Sequence, residues 1–326
     1  MIMPWGSSYA INKDSLVNWL DDNTKIDSNR FNSLYLLGRT YFVEDGNIDS
    51  SLKLLSSAIE VAEDINFKHG IAKTLSLRAY IRTYYSANFE GSISDYYTAL
   101  ELYEKENNLE QIAIIYINLA NAYHNYGQLE DALKYYDLVI KISKETNNED
   151  DLALAYHNLG TINNGLNNDS IAEYYLLKAK KYYIKTGSNS DISGVEYDLI
   201  NIKMSSNNMI RNEDRITAIK IYEKLKIKFE QYNQDRHFIG CLVSIGTQYT
   251  LLDKPSKGLS YLLKAEIKAK EINSYNLLKE IYLGLIEKSE VRKNYIDEVK
   301  YLKLHQNVKD SLFKENKASV IAEMQT

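Results

Sequence analysis

The sequence predicts an all-α protein, an α-solenoid in which about seven helical hairpins stack into a right-handed superhelix. Apolar residues recur at helical spacing, as in Tyr116, Leu119, Ala120 and Tyr123. The stretch NLANAYHNYGQLEDALKYY, which begins at Asn118, also aligns with the chain 40 positions later. Two prolines and 14 glycines are too few for a β fold with many turns. Together these observations indicate repeated helices.

Each repeat reads as two helices joined by a short turn. Neither helix can bury its apolar stripe except against the other helix and against the next hairpin. Small residues mark positions where helices approach so closely that a larger side chain would push them apart. In the third and fourth hairpins these are Ala120, Ala132, Gly160, Ala172 and Ala179.

The other hairpins follow the same order with weaker matches. The second has one extra turn residue, and the fifth has a longer connection through 205–214. Pro255 stands at the first turn of the second helix of the sixth hairpin, where its missing N–H costs no helical hydrogen bond. The five copies are marked by Leu34, Leu37, Gly38 and Tyr41; Leu75, Ala79, Tyr96 and Ala99; Leu199, Ala218, Tyr222 and Leu225; Leu242, Ile245, Gly246 and Tyr249; and Tyr282, Leu285 and Leu302.

The C-terminal end is predicted to be separate from the repeats. We expect a repeat domain over 1–308 and a further helix over 309–326 without a hairpin partner of its own. Its apolar residues need cover from the last repeat or from a second chain, which predicts weak homodimerisation. These residues are Leu312, Phe313, Val320, Ile321 and Met324.

Composition and charge limit the classes of partner. The net charge of −5 argues against general nucleic-acid binding, although the net charge is −10 over 1–163 and +5 over 164–326. The longest apolar run, 112–117, is too short for a membrane span, and the N-terminus does not resemble a secretory signal. With the single cysteine Cys241, no internal disulfide can form. These features predict a cytoplasmic chain.

Catalytic motifs are not found in the sequence. It contains no phosphate-binding glycine loop, no HExxH, no CxxC and no nucleophile elbow. His124 and His157 could approach each other on neighbouring first helices, but two histidines without a third ligand are better explained as polar surface residues. Cys241 fits a packing role. We therefore expect no enzyme, no cofactor and no metal.

The residue order of the third hairpin resembles the tetratricopeptide repeat (TPR). Tyr116-x2-Leu119-Ala120-x2-Tyr123, followed by Ala132-x3-Tyr136, is similar to the family's signature of a bulky residue, Leu, a small residue and an aromatic. HEAT and armadillo repeats have similar periods near 40, so the period alone does not separate the families. The aromatic and small-residue order favours the TPR.

This resemblance implies that the first helix of each hairpin lines a concave, peptide-binding surface. Side-chain amides there could bond both N–H and C=O of an extended peptide. Chaperone-binding TPR proteins carry lysines that hold a C-terminal carboxylate, and here Ile117 and His157 stand at those places, so a carboxylate clamp is not expected. The predicted site consists of Tyr35, Arg39, Tyr80, Asn118, Asn121, Asn125, His157, Asn158, Thr161, Asn164 and Thr247.

A closer resemblance concerns the ends of the chain. The stretches 13–20, 63–75 and 309–326 resemble the repeat regions of bacterial TPR-containing sensor histidine kinases and TPR-coupled helix-turn-helix regulators. This implies the sensory or interaction region of a signalling protein that binds a protein or peptide, with an output module after 326. A sensor kinase fragment would instead be periplasmic. The alternative is a stand-alone scaffold or adaptor without a signalling output.

Overall fold

The computed structural model describes residues 13–86, 88–205, 210–272, 274–291 and 293–324. Beyond Ser311, and at 287–288 and 290–291, only the backbone is described. Helices and short turns account for all of the described secondary structure. The chain divides into two compact units, Met1–Ile142 with Ala322–Thr326, and Ser143–Ile321.

The first unit begins with one helix and continues with three hairpins. Its apolar core is built from α2, α3 and α4 around the fully buried side chains of Leu55 and Ile81. The helices are α1 (Lys13–Asp22), α2 (Ser28–Val43), α3 (Ile48–Asp64), α4 (Lys68–Ile81), α5 (Phe89–Lys105), α6 (Leu109–Tyr126) and α7 (Leu129–Glu145), of which α7 crosses the border at Ile142.

The second unit contains four hairpins. Buried tyrosines and aliphatic residues fill the space between first and second helices, with Tyr222 and Tyr282 almost fully enclosed. The helices are α8 (Glu149–Gly165), α9 (Asp169–Thr186), α10 (Asn189–Ser205), α11 (Asn212–Gln231), α12 (Asp235–Leu251), α13 (Pro255–Glu271), α14 (Tyr275–Val291) and α15 (Tyr295–Met324).

Asparagine pairs make several of the turns between helices. Asn107 and Asn147 adopt positive φ of 52° and 55°, a left-handed conformation that asparagine tolerates better than most residues. The next residues, Asn108 and Asn148, cap the following helix by accepting a hydrogen bond from the backbone of Gln111 and Asp151. Two adjacent asparagines thus end one helix and start the next.

The predicted all-α fold and the seven hairpins are confirmed in the described residues. The small residues also lie where expected: Ala120, Ala132, Ala172 and Ala179 are fully buried. A Cβ on Gly160 would lie only 2.7 Å from Leu176 Cγ, so this position requires glycine. The hairpins therefore pack through the small residues that the sequence marks.

Two details differ from the sequence-based expectation. The extra residue of the second hairpin does not lengthen its turn, because Arg82–Ser86 forms a π-helical segment directly after α4. The predicted helix at 309–326 is not separate, because α15 continues from Tyr295 to Met324 without a break at 308. The side chains of Leu312, Phe313, Val320, Ile321 and Met324, on which the predicted homodimer depends, lie outside the described ones.

None of the described helices has a stretch long and apolar enough to span a lipid bilayer.

Candidate peptide-binding faces

An aromatic cluster lies at the end of α4 in the first unit. The Tyr80 ring packs 4.8 Å from Tyr84 and 6.2 Å from Phe42 of α2, and Phe42 is 5.0 Å from Tyr85, all between ring centroids. Tyr84 and Tyr85 are 36% and 52% exposed. Exposed tyrosines supply large contact area with few rotatable bonds, which suits binding of another chain.

The π-helical segment sets the position of these tyrosines. It is held by Arg82, whose guanidinium donates to the buried carboxylate of Asp95 at 2.9 Å. Arg78 forms a bidentate pair with the same carboxylate at 2.8 Å, and the hydroxyl of Thr83 hydrogen-bonds Ser92 of α5. Charge-assisted hydrogen bonds from Arg78 and Arg82 to Asp95 therefore hold the backbone that carries the exposed rings.

Two cationic side chains, Arg39 of α2 and Lys73 of α4, lie near the buried Tyr35. The Lys73 ammonium lies 4.5 Å from the centre of the Tyr35 ring. Burial lowers the pKa of Lys73, and the charge of Arg39 lowers it further. Arg39 is half-buried and makes no hydrogen bond or ion pair with any described residue.

The buried position of Tyr35 corrects the expectation that it lines an open surface. Its side chain is only 4% exposed and belongs to the core of α2, α3 and α4. Within the described part of the chain its hydroxyl has no hydrogen-bond partner. Burial raises the pKa of this hydroxyl, so it stays protonated and can donate a hydrogen bond.

The asparagines of α6 do not form one equivalent face. Asn125 is exposed and Asn118 is half-buried. The Oδ1 atom of half-buried Asn121 accepts a hydrogen bond from the Tyr136 hydroxyl of α7 at 2.5 Å. Asn121 therefore has a structural role within its hairpin, which the sequence pattern alone did not predict.

A histidine–carboxylate pair connects α8 and α10 in the second unit. His157 Nε2 lies 2.9 Å from Asp198 Oδ2, and both side chains are partly accessible. His237 of α12 stacks on Phe229 at 4.8 Å, and burial lowers its pKa. A Cβ on Gly194 of α10 would lie 3.6 Å from His157 and 3.9 Å from His237, so the two rings approach the same point.

The remaining predicted residues of the second unit face solvent only in part. Asn158 uses its amide to donate to the Leu154 carbonyl at 3.0 Å, and the Thr161 hydroxyl donates to the His157 carbonyl at 3.2 Å. Thr161 is exposed, whereas Asn164 and Thr247 are half-buried. Both hydrogen bonds lie within α8, and they leave the side-chain amide oxygen of Asn158 available to accept a hydrogen bond.

Other residues of these faces were missed at the sequence level. Lys73, Tyr84 and Tyr85 belong with Tyr80 and Arg39, and Asp198 and His237 lie with His157. The adjacent tyrosines in RTYYS and the extra residue of this hairpin were the available signals for the first group. Asp198 and His237 carry no such signal, because the longer connection after α10 obscures the repeat register.

A groove of about 850 Å³ opens on the second helices of the second unit, between α9 and α11. Leu177, Leu199 and Ile221 contribute to its apolar part. Four lysines and three carboxylates surround it, and Glu196 binds both Lys180 at 2.9 Å and Lys228 at 3.5 Å. Its charges nearly balance, so electrostatics alone do not select a partner.

Among the residues that the structure describes, no three His, Cys, Asp or Glu side chains are placed to hold a metal ion. Cys241 is fully buried, and burial raises the pKa of its thiol to about 12. A thiol that stays protonated is a poor nucleophile, which agrees with the packing role expected for it.

Consecutive hairpins of two α-helices define the class of helical-repeat proteins. Residues 111–185 match the family model of the tetratricopeptide repeat. Residues 111–185 thus contain tetratricopeptide repeats, as the residue order of the third hairpin predicts. None of the curated proteins matches the sequence significantly.

Several solved structures share the fold. The apo form of RapI is 14% identical with a TM-score of 0.71, and the match covers 87% of this chain and 99% of RapI. The apo quorum sensor NprR from B. thuringiensis is 17% identical with a TM-score of 0.67, covering 91% and 82%. The Rap conjugation gene regulator of plasmid pLS20, in complex with the Phr* peptide, is 15% identical with a TM-score of 0.64, covering 96% and 80%.

Proposed function

We propose that the chain is a peptide- or protein-binding TPR module that serves as the sensory or interaction region of a bacterial signal-transduction protein. The observation that carries the proposal is the aromatic cluster of Tyr80, Tyr84 and Tyr85 beside Arg39 on the first helices of the first unit. Two of these rings, Tyr84 and Tyr85, are 36% and 52% exposed, and neighbouring exposed aromatic rings are typical of a surface that binds another chain.

The structural neighbours support the binding of a peptide. One of them was solved with the Phr* peptide, and another is titled a Rap protein complexed with competence and sporulation factor. These ligands belong to those proteins. For this chain the shared fold supports a ligand along the first helices, and the residues on α2 and α4 supply the chemistry.

An array of random decapeptides, probed with the full chain, tests binding directly. A subset of peptides should bind, and Tyr80→Ser should weaken that binding because the ring bridges α2 and the π-helical segment. If no peptide in the array binds the wild-type chain above background, the proposal fails.

If the chain is part of a signalling protein, ligand binding should also change its C-terminal helices. The tightest array peptide should change hydrogen exchange in α14 and α15, since ligand energy must reach the C-terminal helix to be transmitted. A stand-alone scaffold would bind without that change. The groove between α9 and α11 favours this second function, because it offers another surface for a second partner.

A further inference from the structure

The eighth residue is buried in five of the second helices, and at most 1% of it is exposed. These residues are Leu55 of α3, Tyr96 of α5, Tyr136 of α7, Leu176 of α9 and Leu262 of α13. The eighth residue of α15 is Leu302, which is 45% exposed. The last hairpin thus leaves open a position that other hairpins enclose.

The interface between α13 and α14 shows what encloses this position. Leu262 of α13 belongs to one apolar core with Leu278 and Ile281 of α14. Gly284 of α14 also comes close, since a Cβ on it would lie 3.9 Å from Leu262 Cδ2. The cover of a second helix is therefore the first helix that follows it.

An apolar stripe extends from Leu302 toward the start of α15. Tyr295 and Val299 precede Leu302 by seven and three positions, so the three residues share one side of the helix. All three are exposed, and so is the neighbouring Ile296, whereas Tyr301 on another side is buried in the core with α14. The stripe of Tyr295, Val299 and Leu302 is the forward face of α15.

The first hairpin, in contrast, is covered by α1. Leu20 of α1 packs against the core of the first unit, and Arg30 of α2 donates to the carbonyls of Leu20 at 3.2 Å and Asn23 at 2.5 Å. Terminal repeats of a solenoid need a polar outer surface to stay soluble. The forward face is apolar instead, which favours contact with another molecule.

Within the described residues the chain does not turn back over the forward face. After α13 ends at Glu271, the next first helix begins at Tyr275. After Leu302, by comparison, α15 continues as one helix to Met324, about 33 Å further on at 1.5 Å per residue. No described segment is thus available as a cover.

Two charges give the forward face a direction. Glu298 precedes Leu302 by four positions and Lys309 follows it by seven, so both lie beside it on the same side of α15. Neither forms an ion pair with a described residue. Consecutive helices in the stack are antiparallel, so a covering helix would place its first half beside Lys309 and its second half beside Glu298.

We propose that the forward face binds an amphipathic helix of a partner protein, antiparallel to α15, in the way that α14 packs on α13. This helix has an apolar stripe like that of α14, an acidic residue in its first half and a basic residue in its second half. Burial of apolar area supplies the affinity, and the charges fix the direction. The aromatic cluster belongs to the first unit, so this inference goes beyond the proposed function and does not depend on it.

The probe is a labelled peptide with the sequence of 275–291, blocked at both ends. A hydrocarbon staple between positions 279 and 283, neither of which is buried in α14, keeps it helical. Fluorescence anisotropy with the full chain should show saturable binding. A Glu287→Lys probe should bind at least threefold more tightly than a Glu280→Lys probe, because the two have the same net charge and only the first has the acidic start and basic end.

Variants of the full chain assign the binding to the forward face. Leu302→Glu should weaken probe binding at least tenfold, since it places a charge in an apolar contact. Leu263→Glu is the matched control, because Leu263 is an exposed leucine of the second helix α13, and it should bind as wild type. Circular dichroism checks that both variants fold, and Val299→Glu takes the place of Leu302→Glu if that variant does not.

Several outcomes would overturn the inference. Binding that persists in both Leu302→Glu and Val299→Glu places the helix elsewhere. If the probe does not bind and sedimentation shows a wild-type dimer that Leu302→Glu dissociates, the face belongs to a second copy of this chain instead. If there is neither binding nor a dimer, the face does not take a helix of this kind. Equal affinity of the two charge-changed probes overturns the stated direction.

Discussion

The hydroxyl of Tyr136 donates a hydrogen bond to Oδ1 of Asn121 across the α6–α7 hairpin, at 2.5 Å. Tyr136 is fully buried, so its hydroxyl depends on acceptors within the protein. The fifth hairpin repeats this arrangement, with the Tyr222 hydroxyl donating to Asn201 Oδ1 at 2.8 Å. Asparagine on a first helix can thus hold a tyrosine of the second helix, and a polar residue there is not evidence of a ligand.

Replacing Asn121 with Ala should lower the free energy of unfolding by about 1–3 kcal/mol, because a buried hydroxyl loses an acceptor. Asn125→Ala is the control one helical turn later, where the side chain is exposed, and should change stability by less than about 0.5 kcal/mol. Urea unfolding of both variants measures the difference. Equal stability of the two would show that the Tyr136 contact contributes nothing.

Two helix glycines should respond in opposite directions to alanine. At Gly160 the new Cβ would meet Leu176 Cγ at 2.7 Å and the Ala172 carbonyl oxygen at 3.2 Å, so Gly160→Ala should destabilise by about 1–3 kcal/mol. At Gly194 the nearest atoms are 3.6 Å and 3.9 Å away, and the better helix propensity of alanine should be neutral or add up to about 1 kcal/mol.

Thermal melts of the two glycine variants provide the comparison. The damage from Gly160→Ala should be concentrated in α8 and α9, because repeats contact mainly their neighbours. Hydrogen exchange that rises evenly over the second unit would contradict a nearest-neighbour solenoid.

Stability should fall as the pH drops below about 6.5, the ordinary pKa of histidine. Burial lowers the pKa of His237, aided by His157 and Arg236 and opposed by Asp198 and Asp191. The unfolded chain therefore binds this proton more readily than the folded chain does. The contribution of His237 to stability is fully present above its pKa in the unfolded chain, and it is lost as the pH falls toward its pKa in the folded chain.

Urea unfolding between pH 7.5 and 5 should show this loss. The free energy of unfolding should depend less steeply on pH in His237→Phe, which keeps a ring against Phe229. Burial also lowers the pKa of His124 and His305, so part of the slope should remain. If His237→Phe shows the same pH dependence of unfolding free energy as wild type, the pKa of His237 does not differ between the folded and unfolded chain.

Tyr85→Ser should weaken peptide binding by about 0.5–1.5 kcal/mol with a smaller effect on stability, since the ring is half exposed and its contacts are with Phe42 and Tyr80. Tyr295→Ser, at an exposed tyrosine of α15, is the matched control and should bind as wild type. Affinity for the tightest array peptide gives the comparison. Equal losses in both variants would remove the aromatic cluster from the site.

Much of the fold was predictable because the small residues and stripes repeat in phase. The turns are also encoded, but by asparagine: Asn107 and Asn147 take the left-handed conformation that glycine would otherwise supply. The stretch 309–326 alone does not show where its helix begins, whereas the sequence from Tyr295 to Met324 contains no proline or glycine that would break a helix. The uninterrupted helix follows from that continuity.

The candidate site was less predictable than the fold. The repeat register predicts that Arg39, Tyr80, Tyr35 and Asn121 all lie on the surface, but Tyr35 is buried and Asn121 bonds Tyr136 within its hairpin. The register gives the direction of a side chain but not how far the next helix covers it. Lys73 was missed because nothing in the local sequence shows that it lies over Tyr35.

The π-helical segment accommodates one residue more than the matching stretch of the third hairpin. Between Ala79 and Tyr96 the chain has one residue more than between Ala120 and Tyr136, yet both pairs remain buried. An insertion of a single codon is therefore absorbed before the turn, and the core on either side keeps its contacts. What changes is the rotation of the residues in between, by about 100° for each one added. Lineages that gain or lose that codon would exchange the pair Tyr84 and Tyr85 for other side chains while the stack of hairpins is inherited unaltered.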